Sequence, residues 1–310
     1  MNKSFVTAFA PASVGNVAVG FDLLGHALRA PGDRVTASRS ERPGLRIGSI
    51  TGIADELPLR PDENTASKAV AALLDAAGLE IGLELHIAKG IPLASGLGGS
   101  AASAVAAVVA AADLLDLGWS RERLYPFALA GEAVASGAAH GDNVGCQLLG
   151  GLVLATHDRL VSIPVPDGLF AVAVHPEHKV NTRDARRCLA EPFELATVVE
   201  QSSGLAQVLA GCHQSDIGLI RAGLRDVMIE PRRAGLIPGF GAVQRAALDH
   251  GALGASISGA GPTVFGWFAD ESRAEAAGAA MVNAFEGAGL GAEAFVSPVA
   301  APGAQIVQRC

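Results

Sequence analysis

The feature that most restricts how this chain can fold is the stretch Pro92–Ala104, PLASGLGGSAASA. Leu83–Lys89 (LELHIAK) leads into it with Leu83, Leu85 and Ile87 on one face, the period of a half-buried strand. An alanine-rich apolar run, Ser100–Leu117, leads out of it and reads as a closely packed helix. Between the two, Gly96, Gly98 and Gly99 crowd into four positions. Glycine adopts φ > 0 without steric penalty, so such a loop turns its backbone N–H groups inward. Inward amides ahead of a helix N-terminus form a concave site for an anion. The expectation is a phosphate-binding loop between a strand and a buried helix. It is not a G-x-x-x-x-G-K-[ST] loop, since no lysine precedes Ser100, and its glycines do not follow the G-x-G-x-x-G spacing. A plain Gly-rich turn with Ser100 as N-cap fits the same residues.

Composition narrows what such a loop serves. The chain has 310 residues, half of them hydrophobic and 17% charged, enough for one large domain or two ordinary ones. A net charge of -8 argues against a general nucleic-acid binder, which neutralises phosphates with clustered Lys and Arg. An acidic protein must hold an anionic nucleotide with local amides and a metal ion. Cys146, Cys188, Cys212 and Cys310 form no CxxC pair, so neither a zinc site nor a disulfide framework is expected, and a reducing cytoplasm is. Phe5–Ala10 is too short for a signal peptide, and Asp113 and Asp116 break the longest apolar stretch, so no membrane span is expected.

Strands are expected at Phe5–Ala10, Asp33–Arg39 and Leu45–Ile50, and helices at Asp62–Gly78, Ser100–Leu117 and Arg121–Ser136. In the second half, Leu152–Ala155, Leu160–Val165 and Leu169–His175 read as strands, and three helical stretches follow between Thr182 and His250. A helix over Glu271–Gly287 and a strand near Ala292–Val296 close the chain. This order suggests an α+β protein with a split β-α-β layer and a boundary near Pro166.

Two more glycine-rich segments accompany the loop: Pro11–Gly25 (PASVGNVAVGFDLLG) and Gly254–Phe268 (GASISGAGPTVFGWF). In order and spacing the three segments resemble the three motifs of the GHMP kinases, over nearly the whole chain. HGDNVGCQLLGG (His140–Gly151), NTRDARRCL (Asn181–Leu189) and EPRRAGLIPG (Glu230–Gly239) resemble substrate segments of that family. The resemblance implies a two-domain α+β fold. Residues 1–165 would form an N-terminal domain like ribosomal protein S5 domain 2, and residues 166–310 a ferredoxin-like C-terminal domain, with ATP and Mg²⁺ between them. It also implies a homodimer, and ATP-dependent phosphorylation of the side-chain hydroxyl of L-homoserine. The alternatives are another small alcohol of the pantoate or mevalonate type, or a non-catalytic ligand-binding homologue.

The same resemblance implies roles for individual residues. Pro92, Ser95, Gly96, Leu97, Gly98, Gly99, Ser100 and Ala101 would cradle the phosphates, backed by Ser258, Gly259, Gly261 and Thr263. Asn64 and Lys89 would lie near adenine and ribose. Ser100 and Glu132 would hold Mg²⁺, which asks for few protein carboxylates. Asn16, Asp22 and Asn143 would hold the amino alcohol, Thr182 would touch it, and Arg186 and Arg233 would clamp its carboxylate with planar forks. Asp22, Ser100 and Glu132 are thus the expected catalytic residues. On the residues alone, Asn16 and Asp22 also suit a Gly-rich turn, Glu132 and the arginines suit solvated helix faces, and Lys89 suits a strand-end cap. Two positions depart from the family pattern. Gly99 stands where Ser is usual, and Ala12 and Ser13 stand in the first motif where some members carry Lys. The missing Lys implies transfer without a dedicated base, consistent with a loose phosphoryl-transfer transition state.

Overall fold

The computed structural model describes residues 3–53, 57–136 and 140–310. Its strands form two sheets. The first combines β1 (Phe5–Gly15), β2 (Leu24–Arg39), β3 (Leu45–Gly52), β4 (Leu83–Lys89), β5 (Leu152–Ala155), β6 (Leu160–Ile163) and the last strand, β11 (Gln305–Arg309). Its order is β11-β1-β2-β4-β3, with β5 paired to the start of β2 and β6 to β5. Only the β3–β4 pair is parallel. Across this sheet lies α2 (Gly99–Leu114), flanked by α1 (Thr65–Ala77), α3 (Arg121–Ser136) and α4 (Gly141–Leu149). Every residue of α2 except Gly99, Ser100 and Asp113 is buried. A helix enclosed on all sides cannot be amphipathic, which is why the sequence shows Ala and Val all round rather than an apolar stripe. Its first turn is the part that opens outward.

The second sheet is antiparallel throughout, in the order β10-β7-β9-β8: β7 (Phe170–Pro176), β8 (Gly254–Ile257), β9 (Val264–Phe268) and β10 (Ala292–Pro298). Two helices, α9 (Phe240–Asp249) and α10 (Glu271–Gly287), pack on it and share a core with Val172, Val174, Val264 and Phe268. The connectivity is βαββαβ, with the further helices α5 (Thr182–Arg187), α6 (Leu195–Gln214), α7 (Ile217–Gly223) and α8 (Glu230–Arg233) inserted after β7. The mixed helix-and-sheet class expected from the sequence is the one found. Because β11 pairs with β1, the chain returns to the first sheet after completing the second.

A buried polar contact joins the sheets. Trp267 on β9 donates its indole N–H to His26 Nε2 on β2 at 3.2 Å, and His26 Nδ1 lies 3.1 Å from the Ala27 carbonyl. Both side chains are fully buried. Burial pushes the His26 imidazole down to about 4, so it is neutral, with Nδ1 as its donor.

Several elements exceed or escape the sequence expectation. β1 continues through Pro11 to Gly15 because its register with β2 shifts between Pro11 and Ser13, and an irregular position tolerates a residue with no N–H. Beyond Phe9 every β1 residue is buried, so no alternation marks it. The helix α4 and the strand β11 were not expected. The first is short and glycine-bearing, and the second is an exposed edge. Among the described residues no helix is long and apolar enough to cross a membrane.

Candidate active site

The three glycine-rich segments meet. Ser258 Oγ donates to the Gly96 carbonyl at 2.7 Å, and Thr263 Oγ1 donates to the Ser95 carbonyl at 2.7 Å. Gly259 N–H donates to the Gly15 carbonyl at 3.1 Å, and Ser13 N–H to the Leu97 carbonyl at 3.1 Å. The turn between β8 and β9 therefore pins the loop before α2, and both are pinned to the end of β1. Gly96 (φ +78°) and Gly98 (φ +69°) lie in the left-handed region. A Cβ on Gly96 would sit 2.4 Å from the Ser258 carbonyl oxygen, so this contact requires glycine.

A cleft of about 570 Å³ opens along this junction. Of the residues expected from the sequence, Asn16, Asp22, Asn64, Lys89, Pro92, Ser95, Gly96, Gly98, Gly99, Ser100, Glu132, Asn143, Thr182, Arg186, Arg233, Gly259 and Gly261 line it. Leu97, Ala101 and Thr263 are fully buried and do not line it. Asp142 and His140, which the sequence reading passed over, also line it. Both lie in the HGDN stretch already singled out for Asn143.

At the loop side, α2 starts without a side-chain cap, so its first amides face outward. Thr65 Oγ1 donates to the Ser100 carbonyl at 3.3 Å. Glu132, from α3, is buried beside Ser100. Burial pushes its carboxyl up to about 7, against the stabilising hydrogen bond from Ser100. Among the described residues no group of three or more His, Cys, Asp or Glu side chains converges. A hydroxyl and one carboxylate beside a phosphate loop nevertheless fit Mg²⁺, a hard cation that binds few protein oxygens and completes its shell with phosphate and water.

Asn64 and Lys89 are held by the fold. Asn64 caps α1: its side chain accepts from Ala66 N–H at 3.0 Å and donates to the Pro58 carbonyl at 3.2 Å. The Lys89 ammonium is buried in an ion pair with Asp33, and also donates to the Gly99 carbonyl at 2.7 Å and to Ser103 Oγ at 2.9 Å. Asp33 in turn accepts from Gly90 and Ile91 N–H at 3.0 and 3.2 Å. This pair ties both ends of the glycine loop together from beneath.

At the other side, Asn16, Val17, Ala18 and Asp22 have φ of 69, 43, 57 and 58°. A left-handed run that includes a β-branched residue is strained, and side-chain hydrogen bonds help to hold it. Asn16 Oδ1 accepts from Asp22 N–H at 2.9 Å, and Asn16 Nδ2 donates to the Gly259 carbonyl at 2.8 Å. Asn16 thus supports Asp22. Asp22 receives Arg186 Nη2 at 2.7 and 2.8 Å, and His140 Nδ1 lies 3.4 Å away. The His140 imidazole is pushed down, first by burial, against the pull of Asp22. Asp142 is buried and accepts from Asn16 N–H at 3.2 Å. Burial, then the charge of Asp22, raises its carboxyl to about 6.

Arg233, from α8, is only 3% exposed. Its Nε donates to the Ala185 carbonyl at 3.1 Å and its Nη1 to the Gly259 carbonyl at 3.0 Å. Among the described residues it has no carboxylate within ion-pair distance. Burial, then repulsion from Arg186, lowers it to about 10. Both guanidiniums lie over Phe21, at 4.8 Å for Arg186 and 5.2 Å for Arg233. A buried guanidinium on the wall of a cleft that forms no ion pair among the described residues is suited to receive an anionic group.

Residues 64–151 match the model of the GHMP kinases N terminal domain, and residues 208–287 that of the GHMP kinases C terminal domain. The chain is 56% identical over 300 residues to homoserine kinase of Xylella fastidiosa (strain M12), covering 97% of this chain and 93% of the relative. It is 42% identical over 318 residues to homoserine kinase of Chlorobaculum tepidum, covering 97% and 98%. The crystal structure of homoserine kinase from Cytophaga hutchinsonii superposes with a TM-score of 0.96 at 42% identity over 99% of this chain and 98% of that one. Mevalonate kinase of L. major, at 17% identity and a TM-score of 0.70, shares the fold.

Proposed function

The chain belongs to the GHMP kinase family, among its homoserine kinases, and we propose how its cleft carries the γ-phosphoryl group of ATP to the side-chain hydroxyl of L-homoserine. The product is O-phospho-L-homoserine, an intermediate of threonine biosynthesis. The observation that carries the residue assignment is Arg233, a buried guanidinium with no ion-paired carboxylate among the described residues, on the same cleft as the glycine loop.

Arg233 holds the substrate carboxylate, aided by Arg186 and Thr182. Asp22 receives the ammonium. Because Asp22 and Arg186 pair with each other, a zwitterion exchanges one ion pair for two, its ammonium on Asp22 and its carboxylate shared by the two guanidiniums. Asn143 orients the hydroxyl. The amides of Gly98–Ser100 at the N-terminus of α2 hold the β- and γ-phosphates. Ser100 and Glu132 would hold Mg²⁺, which supplies charge neutralisation on those phosphates. Asn64 and the stem of Lys89 border the nucleoside. With reactants aligned and charge neutralised, a loose transition state needs no strong base, and the hydroxyl proton leaves late, to the transferred phosphoryl group. The enzyme is also read as cytoplasmic and as a homodimer, for which light scattering would give twice the chain mass.

ADP release with MgATP across L-homoserine, pantoate, mevalonate, galactose and shikimate tests this reading. Turnover with L-homoserine alone is expected. Turnover with another alcohol, or with none, would overturn it.

A further inference from the structure

Beneath the cleft wall, under Gly98 and Asn143, runs a buried polar relay to which none of the roles above assigns a function. Gln147, on α4, is fully buried. Its Nε2 donates to the Gly98 carbonyl at 3.0 Å and to Ser13 Oγ at 3.0 Å. Ser13, also fully buried, donates through Oγ to Asn143 Oδ1 at 2.8 Å. Asn143 Nδ2 then lies 3.3 Å from Asp142 Oδ1. The chain of bonds runs from the residue that opens α2 to the amide facing the substrate. The three side chains converge on Gly98. A Cβ there would lie 2.5 Å from Ser13 Oγ, 2.8 Å from Asn143 Oδ1 and 2.8 Å from Gln147 Nε2. The phosphate loop and the acceptor-facing amide are thus linked through two bonded atoms, Gln147 Nε2 on the Gly98 carbonyl and Ser13 Oγ on Asn143 Oδ1.

Packing does not account for Gln147. Its Oε1 is buried with no hydrogen-bond partner among the described residues, which costs stability that an apolar side chain of the same length would not lose. The two bonds of its Nε2 are what the amide supplies. From this we propose that Ser13 and Gln147 are positioning residues. They fix the Asn143 amide relative to Gly98, and so set the line between the acceptor hydroxyl and the γ-phosphate. Neither touches the reacting atoms. The effect is one of alignment, where a displacement of about 1 Å far from the chemistry can reduce rate by about 10²-fold. The relay rests on the kinase reading of the cleft but concerns alignment rather than substrate identity.

The test uses Ser13→Ala, Gln147→Met, the double variant, and Ser13→Thr, which keeps the hydroxyl. Each is assayed with the alcohol that the wild type phosphorylates, recording kcat, both KM values, and the ratio of phosphorylated alcohol to ADP. The expected result is a kcat lower by about 10- to 100-fold in each of the first two, with both KM values within about twofold. The product-to-ADP ratio falls, because a misaligned acceptor loses the phosphoryl group to water. The double variant is no slower than the slower single, and Ser13→Thr recovers most of the rate. A folded Ser13→Ala or Gln147→Met enzyme with wild-type kcat and an unchanged ratio would overturn the proposal. So would a loss seen wholly in KM, or a double variant with multiplied losses. Failure of the wild type on L-homoserine strikes the function reading instead and leaves the relay to be judged on the alcohol that is accepted.

Discussion

The glycines of the phosphate loop are not equivalent, and at Gly96 it is backbone that leaves no room for a side chain. In Gly96→Ala the new Cβ would meet the Ser258 carbonyl oxygen at 2.4 Å and the Gly261 carbonyl oxygen at 2.9 Å, both backbone atoms unable to swing aside. The residue would also keep φ +78°, which costs a non-glycine roughly 1–2 kcal/mol. Overpacking adds about 1–3 kcal/mol, for a total near 2–5 kcal/mol. The strain falls on the contact between the loop and the β8–β9 turn, so the KM for ATP should rise with the loss of stability. Gly99→Ala is the control. Gly99 has an ordinary φ, and its nearest obstacle is the Ile91 methyl at 3.2 Å. As the first residue of α2, an alanine there gains helix propensity of up to about 1 kcal/mol. Urea unfolding and ATP titration of both variants decide the matter. Equal stability and equal KM for ATP in the two would refute the reasoning, since geometry alone separates them.

Other expectations follow from the buried groups. Lys89→Met leaves Asp33 buried without its cation and should destabilise the chain by about 3–5 kcal/mol in urea unfolding, and a loss under 1 kcal/mol would contradict the clamp beneath the loop. His26 sits at about 4 in the folded chain against about 6.5 unfolded, so its contribution is present above pH 6.5 and is lost as pH falls toward 4. The difference in unfolding free energy between wild type and His26→Gln should therefore shrink by roughly 3 kcal/mol over that range, and a pH-independent difference would sink the assignment of a neutral imidazole. Glu132→Gln should raise the Mg²⁺ concentration needed for half-maximal turnover while leaving the fold intact. An unchanged Mg²⁺ titration would remove Glu132 from the metal's surroundings.

Much of this site was legible in the sequence because its signals are local. The strand Leu83–Lys89, the glycine loop and α2 follow one another, and each carries its own pattern. The glycine segments at both ends of the chain could be noticed singly, though not that Ser258 and Thr263 reach back to Gly96 and Ser95. What stayed hidden depends on contacts across the chain. Lys89 precedes the loop and reads as a ligand contact, but its ammonium is held by Asp33, fifty-six positions away. Asn16 reads as a substrate contact, while its amide bonds to Asp22 and Gly259. Ser13 and Gln147 lie in segments the sequence marks, but their joint contact with Gly98 carried no signal, since it exists only once folding brings β1 and α4 together. The strand β1 was underestimated because continuous burial erases alternation, and β2 because its start, Leu24–Leu28, is buried without alternation and is followed by the exposed Arg29 and Ala30.

The most direct test of the account compares L-homoserine with 3-aminopropan-1-ol, which lacks only the carboxylate, in the wild type and in Arg233→Met. The quantity is the ratio of kcat/KM for the two alcohols. If the buried Arg233 receives the carboxylate, the wild type prefers L-homoserine strongly. Arg233→Met then reduces that preference by about 10- to 150-fold, the value of a charge-assisted hydrogen bond of about 1.5–3 kcal/mol. The KM for ATP should stay unchanged. An Arg233→Met enzyme that keeps the wild-type preference would contradict the account, because the carboxylate would then be held elsewhere.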